Sequence, residues 1–164
     1  MKVNIGNHVT IDDYAVLDAK GENNQGISIG DKTIISRNVV LSCKGADISI
    51  GSGCTLGINS LVHALQGSPV SLGDDVLCGA YCYFIGSGPY DTSELKVPFK
   101  KQGMLPKGGI TVANNVWFGS NVQILDGLTI GTGSIVGSSA VVNKNVNEYG
   151  IYAGIPAKLV KQRQ

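Results

Sequence analysis

Apolar residues recur at every sixth position of the segment from Val112 to Val146. The first residue of each hexad, termed its opener, is apolar in six consecutive hexads: Val112, Phe118, Ile124, Ile130, Val136 and Val142. A second small or apolar residue follows each opener four positions later: Val116, Val122, Leu128, Ser134, Ala140 and Val146. A six-residue period differs from the 3.6-residue period of a helix and from the alternation of one long strand, and it fits short strands joined by turns. The pattern predicts a β-helix in which three hexads form one turn and the openers face inward.

The same frame extends towards the N-terminus. Further turns start at openers that are each followed by glycine: Ile5, Ile29, Ile50 and Leu72. The intervals between successive starts are longer than three hexads up to Val112, so each extra stretch is an insertion at a corner, and the longest lies between Ser87 and Gly109. We therefore expect one β-helix domain over residues 1–164 with an inserted loop at about 87–109. Every turn-starting opener, Ile5 included, is expected in the core.

The composition agrees with a core of small cross-section and argues against nucleic-acid binding and against a membrane span. The chain has 164 residues with 23 glycines, three Phe and one Trp, and its formal net charge is +1. Lys and Arg do not cluster before the last residues, so we expect no nucleic-acid partner. No apolar run approaches the roughly 20 residues needed to span a bilayer, and no signal-peptide core is present, so we expect no membrane span and a cytoplasmic protein.

The four cysteines are expected to be reduced core residues. Cys54, Cys78 and Cys82 fall on inward positions of the frame, and Cys43 stands alone. No pair has the Cys-x-x-Cys spacing of a zinc or redox site. The sequence therefore predicts no metal site.

Two segments resemble the hexapeptide-repeat acyltransferases. They are NNVWFGSNVQILDGLTIGTGSIVGSSAVVNKNV at 114–146 and GIYAGIPAKLVKQR at 150–163, together with the Ile-Gly hexads before them. Within that family the chain is most similar to the sugar O-acetyltransferases related to maltose and galactoside acetyltransferase, and to short members found with polysaccharide genes. The resemblance implies an all-β fold, a left-handed parallel β-helix with one long loop insertion and a short C-terminal tail. It also implies a homotrimer with active sites in the clefts between subunits.

The resemblance implies acetyl-CoA as the donor substrate, lying along the C-terminal coils. The matching positions are Trp117, Gly119 and Ser120 at the entrance, Ser138 and Ser139 along the pantetheine arm, and Asn143, Lys144 and Lys158 towards the nucleotide. Main-chain groups at a corner can bond the arm, and Lys158 can meet a phosphate. The alternative interpretation is that the serines are small corner residues and the lysines belong to a solvated tail.

The acceptor side departs from the family pattern. Transfer of an acetyl group to a sugar hydroxyl needs a base for the hydroxyl proton, and the family supplies a histidine just after the strand that here ends at Ser87. The equivalent positions are Gly88, Pro89 and Tyr90, so the usual histidine is absent.

His63 is the candidate for a relocated base. It follows the opener Val62, so the frame turns its side chain outward, one layer below Ile85. Asn59 matches an asparagine that the family uses near the acceptor. The alternative is that His63 is an exposed or interface residue. Asp91 could act as a base only with a perturbed pKa, and turn chemistry is the preferred interpretation of this residue.

Two functions remain open at this point. The first is an acetyl-CoA-dependent O- or N-acetyltransferase that acts on a sugar or polysaccharide precursor, with His63 as base or with positioning alone. The second is a degenerate relative that binds a ligand or partner subunits without turnover. The retained donor residues favour the first.

Overall fold

The computed structural model describes residues 2–164, which form a parallel β-solenoid of about six coils, consistent with the predicted left-handed β-helix. Sheet A contains β1 (Val3–Ile5), β4 (Ile27–Ile29), β7 (Ile48–Ile50), β10 (Val70–Leu72), β13 (Ile110–Val112) and β16 (Leu128–Ile130). Sheet B contains β2 (Thr10–Ile11), β5 (Ile34–Ile35), β8 (Thr55–Leu56), β11 (Leu77–Cys78), β14 (Trp117–Phe118), β17 (Ile135–Val136), β19 (Gly150–Ala153) and β20 (Lys158–Gln162). Sheet C contains β3 (Val16–Lys20), β6 (Val40–Lys44), β9 (Leu61–Leu65), β12 (Tyr83–Gly86), β15 (Gln123–Ile124) and β18 (Val141–Val142).

The predicted openers stack in register along sheet A. Pairing of neighbouring strands aligns one column from the first coil to the sixth: Ile5, Ile29, Ile50, Leu72, Val112 and Ile130. The openers of sheets B and C stack in the same manner, as in the pairs Cys78–Phe118 and Phe84–Ile124. Because each strand between the two ends of a sheet pairs with the coils above and below, the backbone polar groups of these short strands are satisfied. The sequence frame is therefore confirmed across the solenoid.

The apolar column is buried except at its first coil. Leu72, Val112 and Ile130 are almost completely buried, and Phe84 packs edge-on against Phe118 with ring centroids 5.4 Å apart. The expectation that Ile5 is buried is wrong, since 49% of this residue is exposed. Ile5 keeps its register but belongs to the first coil of residues 2–164, and no other coil among these residues lies below it.

The corners explain the glycines and several polar residues. A Cβ on Gly119 would lie 2.5 Å from Ser138 Oγ, and a Cβ on Gly131 would lie 2.3 Å from the amide nitrogen of Glu148, so neither corner has room for a side chain. Left-handed backbone recurs at the corner between sheets B and C in one residue of every coil: Tyr14, Asn38, Asn59, Tyr81, Asn121 and Ser139. Asparagine suits this conformation because its short side chain bonds locally.

Two segments leave the coils. Residues 87–109 join β12 to β13, carry the short helix α1 (Phe99–Gln102), and form a hairpin-like loop through the antiparallel bridge Tyr90–Met104. The C-terminal tail contains β20, which pairs antiparallel with β19 and extends sheet B, and all five residues of this strand are exposed. Within residues 2–164, no helix is long and apolar enough to cross a membrane.

The outer faces of the three sheets differ in polarity. The central outward row of sheet A is polar in every coil: Asn4, Ser28, Ser49, Ser71, Thr111 and Thr129. The outward row of sheet B includes the exposed apolar residues Ile34, Leu77 and Trp117. The outward row of sheet C includes Val40, Leu61 and Tyr83. Sheets B and C therefore present apolar surface that sheet A lacks.

Candidate functional site

His63 lies on the outer face of sheet C. Its neighbours on β9, Val62 and Ala64, are buried, so alternation turns the imidazole outward. It pairs with Ser42 on the coil below and with Ile85 on the coil above, as the frame predicted. His63 is half-buried, and its side chain forms no hydrogen bond with any residue between 2 and 164. No carboxylate among the described residues therefore orients the imidazole.

A small pocket of about 210 Å³ opens on the same face, beside Ile85. Its walls come from the coils and from both ends of the inserted loop: Ile85, Gly88, Pro89, Lys107, Leu125 and Asp126. Gly88 and Pro89 are two of the three positions that correspond to the histidine of the family. Because Ile85 both lines the pocket and pairs with His63, the imidazole is one strand away from this cavity.

Asp126 in this pocket was missed by the sequence analysis. It is buried at the end of coil five and accepts three hydrogen bonds, from Ser68 Oγ at 2.7 Å, the Lys107 amide at 2.6 Å and the Gly109 amide at 2.8 Å. The available signal was an ionisable residue two positions after the opener Ile124, where the frame places an inward side chain.

Asn59 lies at the B–C corner of the coil that carries His63. Its φ of 58° is in the left-handed region, and its side-chain oxygen accepts a hydrogen bond from Asn38 Nδ2 at 3.0 Å. The observed geometry is that of a turn residue within a ladder of corner asparagines. Contact with an acceptor stays a prediction for this residue.

The donor residues predicted from sequence mostly meet at one place, the B–C corner of coils five and six. We name Gly119, Ser120, Ser138 and Ser139 the upper B–C corner. Its coils are joined by the bond from the Ser139 amide to the Ser120 carbonyl at 2.9 Å, and Ser120 and Ser138 are exposed. The indole of Trp117 stands beside it on sheet B and is 51% exposed.

Lys158 adds a positive charge near this corner, and the two remaining donor candidates lie elsewhere. Lys158 pairs with Ala153, and a Cβ on Gly137 would lie 3.2 Å from Ala153 Cβ. Asn143 and Lys144 follow β18 at the corner between sheets C and A, so a strand of sheet C separates them from the upper B–C corner. The structure thus brings five of the eight predicted donor residues together at or beside the upper B–C corner, and Lys158 lies two strands beyond β17 in the same sheet.

Asp91 has the turn role preferred from sequence. Its carboxylate accepts a hydrogen bond from the Ser93 amide at 2.9 Å, and bonds from the Ser93 amide and hydroxyl lower the pKa of Asp91 below its ordinary value. A lowered pKa makes the carboxylate a weaker base at neutral pH. Asp91 is therefore a turn residue and not a candidate base.

The four cysteines are unpaired and buried, as expected. Burial raises the pKa of the thiols of Cys43, Cys54, Cys78 and Cys82. Because the thiolate is the reactive form, these residues are poor nucleophiles. Across the described chain, 2–164, no group of three or more His, Cys, Asp or Glu could hold a metal ion.

Comparison with known proteins identifies the repeats. The family described as bacterial transferase hexapeptide (six repeats) matches residues 109–144. The probable acetyltransferase Rv3034c of Mycobacterium tuberculosis is 33% identical over 138 residues, which are 84% of this chain and 43% of that protein. A chloramphenicol acetyltransferase of Agrobacterium fabrum is 43% identical over 61 residues, covering 37% of this chain and 29% of its own length. The chain spans about half or less of the length of the relatives it matches.

Solved structures share the fold at lower sequence identity. AntD, an N-acyltransferase from Bacillus cereus in complex with dTDP and 3-hydroxybutyryl-CoA, has a TM-score of 0.79 and 22% identity over 97% of this chain and 82% of its own. A hexapeptide-repeat acetyltransferase, VCA0836 of Vibrio cholerae complexed with acetyl-CoA, has a TM-score of 0.64 and 24% identity over 100% of this chain and 72% of its own.

Proposed function

This chain carries the repeats of the bacterial transferase hexapeptide family and resembles acyltransferases in sequence and fold. We propose that it transfers an acyl group from acyl-CoA to a sugar. We expect the acyl group to be acetyl. One observation carries the proposal: the matching segment, 109–144, is the segment that builds the upper B–C corner. The part of the chain that matches the transferase family is thus the part that presents the exposed residues Ser120, Ser138 and Trp117 together.

The donor end of the proposal rests on that corner. Ser120 and Ser138 offer hydroxyls to a pantetheine arm, Trp117 offers an aromatic face, and Lys158 offers charge to a phosphate. AntD and VCA0836, which share the fold, were solved with 3-hydroxybutyryl-CoA and acetyl-CoA. Asn143 and Lys144 belong to this site only if the nucleotide extends past the neighbouring corner.

The acceptor end is proposed at the pocket beside Ile85. Its walls are mainly apolar, from Ile85, Pro89 and Leu125, and the charged residues Lys107 and Asp126 also line it. The apolar walls would contact the face of a sugar ring that carries few hydroxyls. The Lys107 ammonium would interact with an anionic group attached to that sugar. The presence of dTDP in the AntD complex supports a sugar nucleotide as acceptor class.

In the reaction, an acceptor oxygen or nitrogen attacks the thioester carbonyl, the carbon–sulfur bond breaks, and CoA leaves as the thiol. A base must take the proton of the attacking group and pass it to the departing sulfur of CoA. His63 is our candidate because it stands one strand from the pocket, and Asn59 is proposed to contact the acceptor from the adjacent corner. Without a base, positioning alone can still supply several kcal/mol of the barrier.

We also propose a homotrimer. The apolar outward rows of sheets B and C are surfaces that a neighbouring subunit would cover, whereas the Ser, Thr and Asn row of sheet A suits solvent. The inserted loop, with exposed Leu95 and Phe99 near its tip, is long enough to reach that neighbour. Each active site would then lie in a cleft between subunits.

A binding experiment tests the donor end directly. Trp117 is the single tryptophan, so its fluorescence should change as CoA or acetyl-CoA is added. Lys158→Ala should weaken binding by about tenfold, the loss of one charge-assisted contact. Lys32→Ala, at an exposed corner of coil two, is the matched control and should bind as wild type. No binding to any variant would contradict the proposal.

A second function is kept because the family histidine is absent and His63 has no orienting partner in the described subunit. The chain could bind CoA or a sugar without turnover. Release of CoA thiol with a panel of amino and hydroxy sugar nucleotides separates the two functions. Binding without thiol release would favour the non-catalytic one.

A further inference from the structure

Asp126 is a carboxylate in a row of small inward-facing residues. Strand pairing on sheet C aligns Ala19, Cys43, Ala64 and Gly86 in successive coils. Asp126 follows in coil five, because β15 pairs with β12 so that Gln123 matches Tyr83. It is only 8% exposed, and none of residues 2–164 forms an ion pair with it. A buried carboxylate is costly unless several donors compensate it.

Its three donors all belong to places where the inserted loop meets the solenoid. The Lys107 and Gly109 amides lie at the end of the loop, and Ser68 lies at the corner of coil three. Gly109 has φ of 92°, and a Cβ there would lie 2.0 Å from the Pro69 carbonyl oxygen. The loop end is thus pressed against this corner, and Asp126 satisfies the amides that would otherwise be orphaned there.

The attachment continues across the loop to the pocket wall. The Leu105 amide donates to the Pro89 carbonyl at 2.8 Å, and the Asp91 amide donates to the Gly103 carbonyl at 3.0 Å. These bonds tie the returning arm, which Asp126 holds, to the outgoing arm that carries Pro89. Pro89 and Lys107 both line the pocket beside Ile85.

We infer that Asp126 is a positioning residue: its carboxylate latches the inserted loop to the solenoid and thereby sets the shape of the acceptor pocket. It is not the missing base, because both of its oxygens already accept hydrogen bonds from Ser68, Lys107 and Gly109 of the chain itself. The inference deepens the proposed function and rests on it for the identity of the pocket, whereas the latch itself is a structural property.

Hydrogen exchange tests the latch without any substrate. In Asp126→Ala the loop amides, with Asp91 and Leu105 as reporters, should exchange about tenfold faster or more, while the amides of β6 and β9 keep wild-type protection. Asp74→Ala is the matched control, because the Asp74 carboxylate also joins two coils, by accepting from the Ser52 amide at 2.7 Å, but far from the loop. Its loop should exchange as in wild type.

Ser68→Ala is a second variant that tests the same latch if Asp126→Ala does not fold. It removes one donor and should raise loop exchange about threefold. Ser60→Ala, which removes another buried hydroxyl whose bonds lie within the solenoid, should leave the loop unchanged. Loop exchange equal to wild type in the folded Asp126 or Ser68 variant would overturn the latch.

Steady-state kinetics of Asp126→Ala distinguishes failure of the latch from failure of the proposed function. Asp126→Ala should raise the acceptor KM about tenfold and leave the CoA dissociation constant within twofold, because the upper B–C corner is untouched. A lost kcat with unchanged loop exchange would overturn the latch in favour of direct catalysis. If wild type shows no turnover, the proposed function fails, and exchange still decides the latch.

Discussion

At the scale of single residues, the chemistry of the proposed reaction rests on His63. Its side chain faces outward beside the pocket-lining Ile85 and is half-buried. We predict that His63→Ala lowers turnover by ~100-fold or more, the scale expected for loss of a general base. Ser42→Ala, on the adjacent coil in the same outward row, is the control and should retain activity.

A second substitution, which introduces a histidine instead of removing one, tests whether the family's original site is intact. Tyr90→His restores an imidazole at a position equivalent to that of the family histidine, and gain of turnover there would show that the site has kept its donor and acceptor surfaces. Unchanged turnover in His63→Ala would dismiss the relocated base and leave positioning as the source of rate.

At the scale of elements, the B–C corner contains a strained residue. Tyr81 has φ of 61° and its side chain is 58% exposed, and bulky side chains in this region cost of order 1 kcal/mol. We predict that Tyr81→Asn stabilises the fold by about 1 kcal/mol in urea unfolding, because asparagine already occupies this corner in neighbouring coils. Asn121→Tyr, one coil above, should lose a similar amount. A destabilised Tyr81→Asn would show that the tyrosine makes contacts that outweigh its strain.

Several elements could be predicted from sequence and others could not. The strands of all six coils follow from the hexads, since an opener and a second small residue define each strand and its inward face. Strand β20 lies in the predicted C-terminal tail, but its pairing could not be predicted, because KLVKQ lacks the hexad pattern and pairs antiparallel on the edge of β19. Ile5 was misplaced because the frame reports direction, whereas burial also requires a coil below.

At the scale of the whole molecule, the three faces of the solenoid predict where subunits meet. We expect light scattering to give three times the chain mass across micromolar concentrations. Leu61→Glu on sheet C and Leu77→Glu on sheet B should each lower that mass, because a charge would be buried in the interface. Thr111→Glu on the polar row of sheet A is the matched control. A monomeric wild type would contradict the trimer, and a smaller species in Thr111→Glu would contradict this choice of faces.

The sequence by itself determined the solenoid, its register and most of the upper B–C corner. The reason is local: a period of six sets strand length, turn position and side-chain direction at once, and stacking then follows because every coil exposes the same apolar column. Even the position of His63 one layer below Ile85 came from counting along this frame.

Only the tertiary structure decided the acceptor pocket and its support. Asp126 meets Ser68 across 58 residues of sequence and Lys107 across 19, and neither partner lies on a hexad position that requires the contact. The inserted loop has no repeat, so its path depends on hydrogen bonds to the Asp126 carboxylate. The six-residue frame could indicate that Asp126 is buried, but it could not indicate the residues that bond to it. The fold therefore follows from a repeat that is local in sequence, whereas the pocket depends on hydrogen bonds between residues far apart in sequence, which the repeat does not specify.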